Sequence, residues 1–462
     1  MSAPTQALRL PEFIDDRRTS RFQYLTVVLC GLVMFFDGFD TQSINYAAPH
    51  IADEWSLSKD LLGPIFSAAL AGLMIGYLLL SPLADRFGHK RLIIAGTTVF
   101  AGCTLLAVWS TGVAELMVLR FVTGVGLGAA APSAVALTTE YSPRRFRASF
   151  VLAIYCGFSF GFVVAGMVAG WLIPDHGWRS VFVAGAVAPA VLIPLMVLFL
   201  PESLAFLVGR ARDIGRAYAI CRRIAPELPA GAAPEFAVTT REAGGQVRIR
   251  TLLGRRWLVS TLILWVMFAI NLGEFYALQS WLPTILGDLG LPAGTVVTAT
   301  SLTTVGGIAV AVVVGPAMDR LGPYGSLAVL FLAGSAFLAV TGFALDSARW
   351  ILLATMFLIG CGVSGGQKGL IALAAIVYPA AARSTGVGWA LGVGRAGGIL
   401  GPLLIGASLE AAWSPGTVFL ALSAPMLASA ALMLYLGHHT RTPQGGRRTG
   451  RHVVGDTAMC GK

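Results

Sequence analysis

Charged side chains are scarce in this chain. Only 12% of its 462 residues are Asp, Glu, Lys or Arg, against about 25% in ordinary soluble domains. Hydrophobic residues make up 56% of the sequence. A soluble chain of this length would need two or three cores and far more polar surface to cover them. The scarcity of charge therefore argues against a soluble globular protein and indicates a membrane protein.

Sequence features of enzymes and metal proteins are missing as well. The six cysteines show neither a disulfide framework nor the spacing of metal ligands. There is no phosphate-binding loop of the ATPase type, and two matches to a hydrolase nucleophile motif lie inside apolar runs without His and Asp partners. No histidine lies deep in an apolar run, so imidazole is an unsuitable proton carrier. We expect no enzymatic activity, no cofactor and no metal.

Long apolar runs recur along the sequence. Each is close to 20 residues long, which is enough to cross a hydrocarbon layer of ~30 Å. Twelve runs can be counted, and the first covers residues 23–47. Residues 1–21 are polar and contain no cleavable apolar core, so the first run is expected to remain as a helix. The predicted fold is an all-α polytopic membrane protein with twelve transmembrane helices.

The net charge of +10 is distributed unevenly along the chain. With the N-terminus placed in the cytoplasm, 27 of the 33 Lys and Arg residues fall in cytoplasmic segments. This bias predicts a multi-pass protein of the cell (inner) membrane with both termini in the cytoplasm. Nucleic acid is not an expected partner, because its binding would need a basic face on a folded soluble domain. The protein is instead expected to interact with the lipid bilayer.

Two motifs recur at nearly the same spacing in the two halves of the chain. The pair Asp85-Arg86 recurs as Asp319-Arg320. Pro143 and Arg147 recur as Pro379 and Arg383, at a spacing only slightly longer. Such a parallel duplication is typical of transporters that bind substrate between two halves. The twelve helices are therefore predicted to form two pseudo-symmetric six-helix bundles.

The longest polar interruption separates the two predicted bundles. It is rich in Arg, Gly and Pro, which is typical of a connecting loop. The predicted organisation is a cytoplasmic tail over residues 1–22, a bundle over 23–200, a cytoplasmic central loop over 201–256, a bundle over 257–437 and a cytoplasmic tail over 438–462.

Two carboxylates, Asp37 and Asp40, lie inside the first apolar run. An ionised Asp at bilayer depth costs at least ~2.5–3.5 kcal/mol, so it is seldom present without a function. At a spacing of three residues the two share a helix face and repel each other if both are charged. Arg120 lies at a similar depth in the fourth run and is their expected partner. We predict that these three residues couple proton movement to transport; the alternative is a structural pair satisfied by a buried Arg.

The second half holds three further intramembrane charges, Glu274, Lys368 and Arg395. The guanidinium of Arg395 suits bidentate binding of a substrate carboxylate, and the alternative is a structural ion pair. Lys368 lies in a glycine-rich run that is predicted to bend its helix, and broken helices mark binding sites in transporters. Glu274 and Lys368 either neutralise each other or contact substrate, and a free Lys368 would suit a second acidic group. Other substrate-binding candidates are Gln367, Asn271 and Gln279, with ring stacking by Phe35, Phe36, Phe39, Phe158 or Trp389.

The twelve runs, the duplication and the loop from Leu83 to Arg91 resemble the major facilitator superfamily and its signature loop between the second and third helices. Other segments resemble the aromatic acid:proton symporter branch of that superfamily. These segments are Asp37-Gly-Phe-Asp40, Arg120 to Gly128, Glu140 to Arg147, Arg383-Ser-Thr385-Gly386 and Gly394-Arg395. The resemblance covers residues 22–437. It implies secondary active, proton-coupled uptake of an aromatic carboxylate such as a hydroxybenzoate, in the service of aromatic hydrocarbon catabolism.

The repeated loops also predict a cytoplasmic latch that opens during the transport cycle. In it, Asp85 accepts hydrogen bonds from helix N-termini and from Arg neighbours. The predicted members are Asp85, Arg86, Arg91, Glu140, Arg147, Asp319, Arg320 and Arg383. We expect a monomer that works by alternating access. The alternatives are a transporter that exports or imports another organic anion, such as a muconate-like diacid, and a membrane sensor for aromatic acids.

Overall fold

Long apolar helices make up most of the structure, a computed structural model that describes residues 10–15, 17–80, 83–209, 213–228, 252–254, 257–345, 347–378 and 383–441. Within these ranges there are no β-strands, and twelve helices are long and apolar enough to cross a membrane, which confirms the predicted all-α fold. In chain order, α1 to α12 are Arg21–Trp55, Lys59–Ile75, His89–Leu106, Val113–Tyr141, Arg147–His176, Arg179–Phe199, Leu258–Asp288, Ala293–Leu321, Pro323–Ala344, Arg349–Val377, Arg383–Glu410 and Pro415–Arg441. A π-helical turn, Gly76–Leu80, continues α2.

The first helix is longer than its apolar run. It begins after Ser20, whose hydroxyl accepts a hydrogen bond from the Gln23 backbone while the Gln23 side chain accepts one from the Ser20 backbone. This capping box explains a sharp start. The helix ends at Trp55, well beyond the predicted end at residue 47, and Ser56 follows with a φ of 53°. At 1.5 Å per residue α1 is about 50 Å long, so it extends beyond a hydrocarbon layer of ~30 Å.

The helices pack in two equivalent sets. In the first set, α1 packs on α5, α2 on α4, and α3 on α4 and α6. In the second set, α7 packs on α11, α8 on α10, and α9 on α10 and α12. Every one of these pairs in the first set therefore has a counterpart six helices later. This pattern confirms two pseudo-symmetric six-helix bundles.

A close approach between α2 and α4 recurs between α8 and α10. A Cβ atom added to Gly72 would overlap the carbonyl oxygen of Phe121. A Cβ atom added to Gly306 would overlap the carbonyl oxygen of Phe357 in the same way. The sequence separation between Gly72 and Gly306 equals that between Asp85 and Asp319. The separation between Phe121 and Phe357 equals the slightly longer one between Arg147 and Arg383. Only glycine allows these backbones to touch, so the duplication preserves the helix crossing.

The crossing of α1 with α5 recurs at the same two spacings. A Cβ atom on Gly161 would overlap the Phe35 carbonyl oxygen, and one on Gly397 would overlap that of Ala269. The spacing from Asp85 to Asp319 therefore relates α1 and α2 to α7 and α8. The slightly longer spacing of the Pro and Arg motif relates α4 and α5 to α10 and α11. This correspondence allows individual side chains of the two bundles to be compared.

The bundles meet closely at one of their two faces. We call the face where α1 begins and α12 ends the terminal face, and the opposite one the far face. Near the far face, Lys59 and Asp288 form an ion pair of 2.5 Å, and the Ser67 hydroxyl donates to the Ile399 carbonyl at 2.8 Å. A cavity of about 530 Å³ remains beside that ion pair. Tyr155, on the terminal-face half of α5, is 41% exposed although it lies near Arg395 of α11, so solvent reaches between the bundles there, and we call this space the central cavity.

Short helices support the first bundle at the terminal face. They are Leu10–Asp15, Leu204–Gly209 and Ile214–Ile224. Cys221 and Ile224 pack into one apolar cluster with Phe13 and Ile14. Burial raises the pKa of the Cys221 thiol to about 12. Residues 210–212, 229–251 and 255–256 of the predicted central loop lie outside the described residues.

Candidate functional site

An ion pair is buried inside the first bundle. Arg120 Nη1 lies 2.9 Å from Asp40 Oδ1, and each side chain is 1% exposed. The Thr104 hydroxyl donates to the same carboxylate oxygen at 3.0 Å, and Arg120 Nη2 donates to the Asp40 carbonyl at 3.3 Å. These contacts join α1, α3 and α4. Removing one member of such a pair costs about 3–5 kcal/mol, because the other charge is left buried and uncompensated.

Asp37 has a different charged neighbour from Asp40. It is buried on α1, and its Oδ1 has no hydrogen-bond partner within the described part of the chain. The Asp37 carboxylate interacts electrostatically with Arg395 of α11, which belongs to the other bundle. Arg120 thus holds Asp40 within one bundle, while Asp37 faces Arg395 across the interface between the bundles.

Three tyrosines surround the Arg395 guanidinium. Nη1 donates to the Tyr276 hydroxyl at 2.8 Å, and the guanidinium carbon lies 5.1 Å from the centre of the Tyr77 ring. Tyr155 of α5 is also within electrostatic range. Aromatic faces attract cations, so this setting holds Arg395 in place while it stays half-buried at the cavity. The arrangement suits a planar anion that binds the guanidinium and lies among rings.

Lys368 occupies the neighbouring part of the cavity on α10. It is half-buried, like Gln367 beside it, and its Nζ donates to the Ser364 carbonyl at 3.3 Å. It also lies near Cys156, an exposed residue of α5 in the opposite bundle. Lys368 therefore faces the cavity between the bundles.

Three polar residues of α7 lie away from this cavity. Glu274 is 3% exposed and lies beside the backbone of Met426 on α12, inside the second bundle. Asn271 donates to the Val363 carbonyl at 3.0 Å, and Gln279 donates to threonine hydroxyls of α8. Glu274 and Lys368 form no ion pair with each other. All three residues make their contacts within the second bundle, whereas Arg395 and Lys368 face the first bundle.

The predicted aromatic candidates are distributed around the cavity walls and the bundle interiors. Phe35 packs edge-on against Phe36, and Phe39 packs against Gly185 of α6. Phe158 and Phe162 of α5 form a pair whose Phe162 ring lies 5.9 Å from that of Phe275 in the other bundle. Trp389 stacks on Trp265. None of these contacts involves Arg395, which has tyrosines as its aromatic neighbours.

The predicted latch residues lie at the terminal face. Arg86, Arg91, Asp319 and Arg320 are exposed there. Glu140 accepts a hydrogen bond from the Ala205 backbone at 2.7 Å, and Arg147 donates to the Ser142 carbonyl at 3.4 Å. The side chains of Asp85, in the short helix Ala84–Phe87, and of Arg383, at the start of α11, lie outside the described residues. The latch stays a prediction.

A carboxylate that the sequence analysis missed anchors the loop between α2 and α3. Glu202 Oε1 accepts a hydrogen bond from the Lys90 backbone at 3.0 Å, and its backbone carbonyl accepts one from the Tyr141 hydroxyl at 2.7 Å. Gly88, at a φ of 97°, leaves room for that carboxylate, since a Cβ atom there would overlap Glu202 Oε2. The sequence signal was a carboxylate directly after the sixth apolar run, at Pro201-Glu202.

Two helical bundles with ionisable groups from both at a central cavity define a membrane transporter. The sequence model of the Major Facilitator Superfamily matches residues 30–345 and 264–456. The chain belongs to this superfamily, and it is a multi-pass membrane transporter and not an enzyme.

Named relatives and a solved structure agree with this assignment. The chain is 37% identical to the 4-hydroxybenzoate transporter PcaK of Acinetobacter baylyi, over 90% of this chain and 92% of that protein. It is 36% identical to a gallate transporter of Pseudomonas putida, over 92% and 94% of the two chains. The xylose transporter XylE from E. coli, in a partially occluded inward open conformation, has the same fold with a TM-score of 0.71 at 16% identity, over 93% of this chain and 100% of that one. The predicted resemblance to aromatic acid transporters is confirmed.

Proposed function

We propose that this chain imports an aromatic carboxylate of the hydroxybenzoate type by proton symport, as a monomer in the inner membrane with both termini in the cytoplasm. Relatives named for 4-hydroxybenzoate and gallate support the substrate class. The observation that carries the proposal is the placement of Asp37 opposite Arg395, in different bundles. A titratable acid and a fixed cation at that interface connect proton binding to substrate binding.

Arg395 is the proposed anchor for the substrate carboxylate. Its planar guanidinium offers paired N–H donors, which match a carboxylate in a bidentate arrangement. Tyr77, Tyr155 and Tyr276 provide aromatic surfaces beside that anchor. A benzoate ring bound there would have its acid group at the cation and its ring among these side chains.

Asp37 is the proposed proton site, because its carboxylate competes with the substrate for Arg395. While Asp37 is ionised, it partly neutralises Arg395 and disfavours a second anion at that cation. A proton on Asp37 removes this competition, so proton and substrate bind together and favour the same state of the carrier. Asp40 has a different proposed role: its buried pair with Arg120 keeps α1 and α4 together while the bundles move.

The position of the contacts between the bundles supports alternating access. The Lys59–Asp288 ion pair and the Ser67–Ile399 hydrogen bond hold the far face together. With the termini in the cytoplasm, the described conformation is open toward the cytoplasm. Import then requires these far-face contacts to break so that the cavity opens outward.

The test is uptake of labelled 4-hydroxybenzoate into cells that express the chain, with and without a protonophore. We expect accumulation that the protonophore abolishes and that Asp37→Asn removes. Asp175→Asn is the matched control, because Asp175 is an exposed aspartate on α5 near the far face. Absence of accumulation with the protein present in the membrane would contradict import, and accumulation that survives the protonophore would contradict proton coupling.

A further inference from the structure

Two cations of the second bundle face a single turn of α5 in the first. Tyr155 lies near Arg395, and the next residue, Cys156, lies near Lys368. Lys368 lies nine residues from the terminal-face end of α10, and Cys156 nine residues from the terminal-face end of α5, so both are about 14 Å deep. Arg395 and Lys368 therefore present two separate positive charges to the same wall of the central cavity.

Lys368 has no counter-charge within the described residues. Its one hydrogen bond there goes to the Ser364 carbonyl of its own helix, and no described carboxylate lies within 4 Å of its Nζ. Glu274, which the sequence offered as a neutralising partner, lies beside Met426 of α12 instead. An ammonium group at this depth without a partner is unfavourable until an anion enters the cavity.

The charged groups at the cavity indicate how many negative charges the entering anion carries. Arg120 and Asp40 neutralise each other, which leaves Asp37, Lys368 and Arg395 as the charged groups that determine the balance. When Asp37 carries a proton, the cavity holds two cations. A substrate with one carboxylate then leaves an uncompensated positive charge, whereas a substrate with two carboxylates makes the proton-loaded carrier neutral. A neutral cavity is the one that closes most readily within the membrane.

We propose that Lys368 forms a second anion subsite, so that the preferred substrate is an aromatic acid with two carboxylate groups. One carboxylate binds Arg395, the ring lies against the tyrosines, and the other carboxylate binds Lys368. This inference rests on the proposed function, because it specifies the substrate of the same site.

The experiment is calorimetric binding to the purified protein at neutral pH, with benzoate, 4-hydroxybenzoate and the three benzenedicarboxylate isomers. A hydrogen bond between charged groups predicts that the best dicarboxylate binds about tenfold or more tightly than benzoate. Lys368→Met is expected to remove this preference and to leave benzoate binding within about threefold of the wild type. Lys368→Arg keeps the charge and should keep a preference. Arg349→Met, at the exposed start of the same helix, is the matched control and should change neither.

The outcomes separate this inference from the proposed function. Binding of benzoate and 4-hydroxybenzoate with no preference for any dicarboxylate would overturn the Lys368 subsite and leave aromatic acid import standing. Equal weakening of both ligand classes in Lys368→Met would make Lys368 a structural residue. If no aromatic acid of either class binds, the proposed function fails as well. The wild-type preference decides the question even if Lys368→Met does not fold.

Discussion

The two bundles place a buried carboxylate at the same position and surround it differently. The sequence spacing that relates α1 to α7 makes Glu274 the counterpart of Asp40. The spacing that relates α4 to α10 makes Met356, which is fully buried, the counterpart of Arg120. The first bundle therefore pairs its carboxylate with a cation at 2.9 Å, while both oxygens of Glu274 are without a hydrogen bond in the described structure. Duplication has preserved the helix crossings and not the charges that lie near them.

The residues that face the central cavity diverge in the same manner. Asp37 corresponds to Asn271, so the proposed proton acceptor is present in one bundle only. Arg395 corresponds to Ser159 and Lys368 to Pro132, so the two cations belong to the other bundle. One bundle contributes the acid and the other contributes the bases. In the proposed mechanism, a charged substrate and a proton can therefore interact across the interface between the bundles.

The largest expected effect on stability comes from replacing Arg120 with methionine, the residue that the second bundle has at the equivalent position. Arg120→Met leaves Asp40 buried without a cation, and we expect a loss of about 3–5 kcal/mol in the free energy of unfolding. Thermal unfolding of the purified protein measures this loss. The double variant Arg120→Met with Asp40→Asn removes both charges and should be more stable than the single variant. If Arg120→Met alone is as stable as the wild type, the pair does not support the first bundle.

Asp37→Asn gives the first bundle the residue that the second bundle has at the equivalent position, Asn271. We expect it to reduce accumulation of 4-hydroxybenzoate about tenfold or more. An asparagine cannot bind or release a proton, so substrate binding at Arg395 is no longer coupled to proton binding. Exchange of labelled for unlabelled substrate across the membrane should continue, since it needs no net proton movement. Loss of exchange together with accumulation would instead indicate that Asp37 is needed for substrate binding itself.

The helix crossings, which the two bundles share, should respond alike. Gly161→Ala and Gly397→Ala each force a methyl group against a backbone carbonyl oxygen, and we expect each to lower stability by about 1–3 kcal/mol. Thermal unfolding measures both changes. Gly102→Ala, where no atom lies within 4 Å of the added Cβ, is the control. A large effect in one bundle and none in the other would show that the crossings are not equivalent.

The smallest effect on stability and uptake is expected for substitution of Glu274, the buried carboxylate that has no cation beside it among the described residues. Glu274→Gln keeps the size of the side chain and removes an acid that lies outside the cavity, so we expect a stability change below about 1 kcal/mol and unchanged uptake. Met356→Gln, which adds a polar group to the interior of the same bundle, is a useful comparison. Loss of uptake in Glu274→Gln on the scale of Asp37→Asn would give the second bundle a transport role for its own carboxylate.

Much of this fold could be predicted because helix length and repeat spacing are local properties. The apolar runs predicted twelve helices, and the two motif spacings reappeared in the glycine crossings. The depth of Arg120 indicated a buried acid as its partner, but not which one. Asp37 and Asp40 differ by only about 4.5 Å in height, and the rotation of α1 against α4 decides between them.

The proximity of Asp37 to Arg395 was harder to predict, because it depends on how the two bundles face each other. Tyr77 was missed for a local reason. It lies in the π-helical turn that ends α2, where one extra residue per turn changes the face that a side chain occupies. Glu274 was expected to neutralise Lys368 or to contact substrate because it is an intramembrane charge, whereas Tyr276 of the same helix is the residue that contacts Arg395. A difference of two positions turns the two side chains toward different bundle surfaces.

In the proposed orientation, the ion pair at the far face is in contact with the medium outside the cell. Lys59 begins α2 and Asp288 ends α7, so each charge lies at the helix end whose dipole disfavours it. The two charges compensate each other, and separation of the bundles would leave both in an unfavourable field. Both side chains are about half exposed, so dissolved ions weaken their attraction. Under the proposed mechanism, the salinity of the surroundings should therefore influence how readily the bundles separate at the far face.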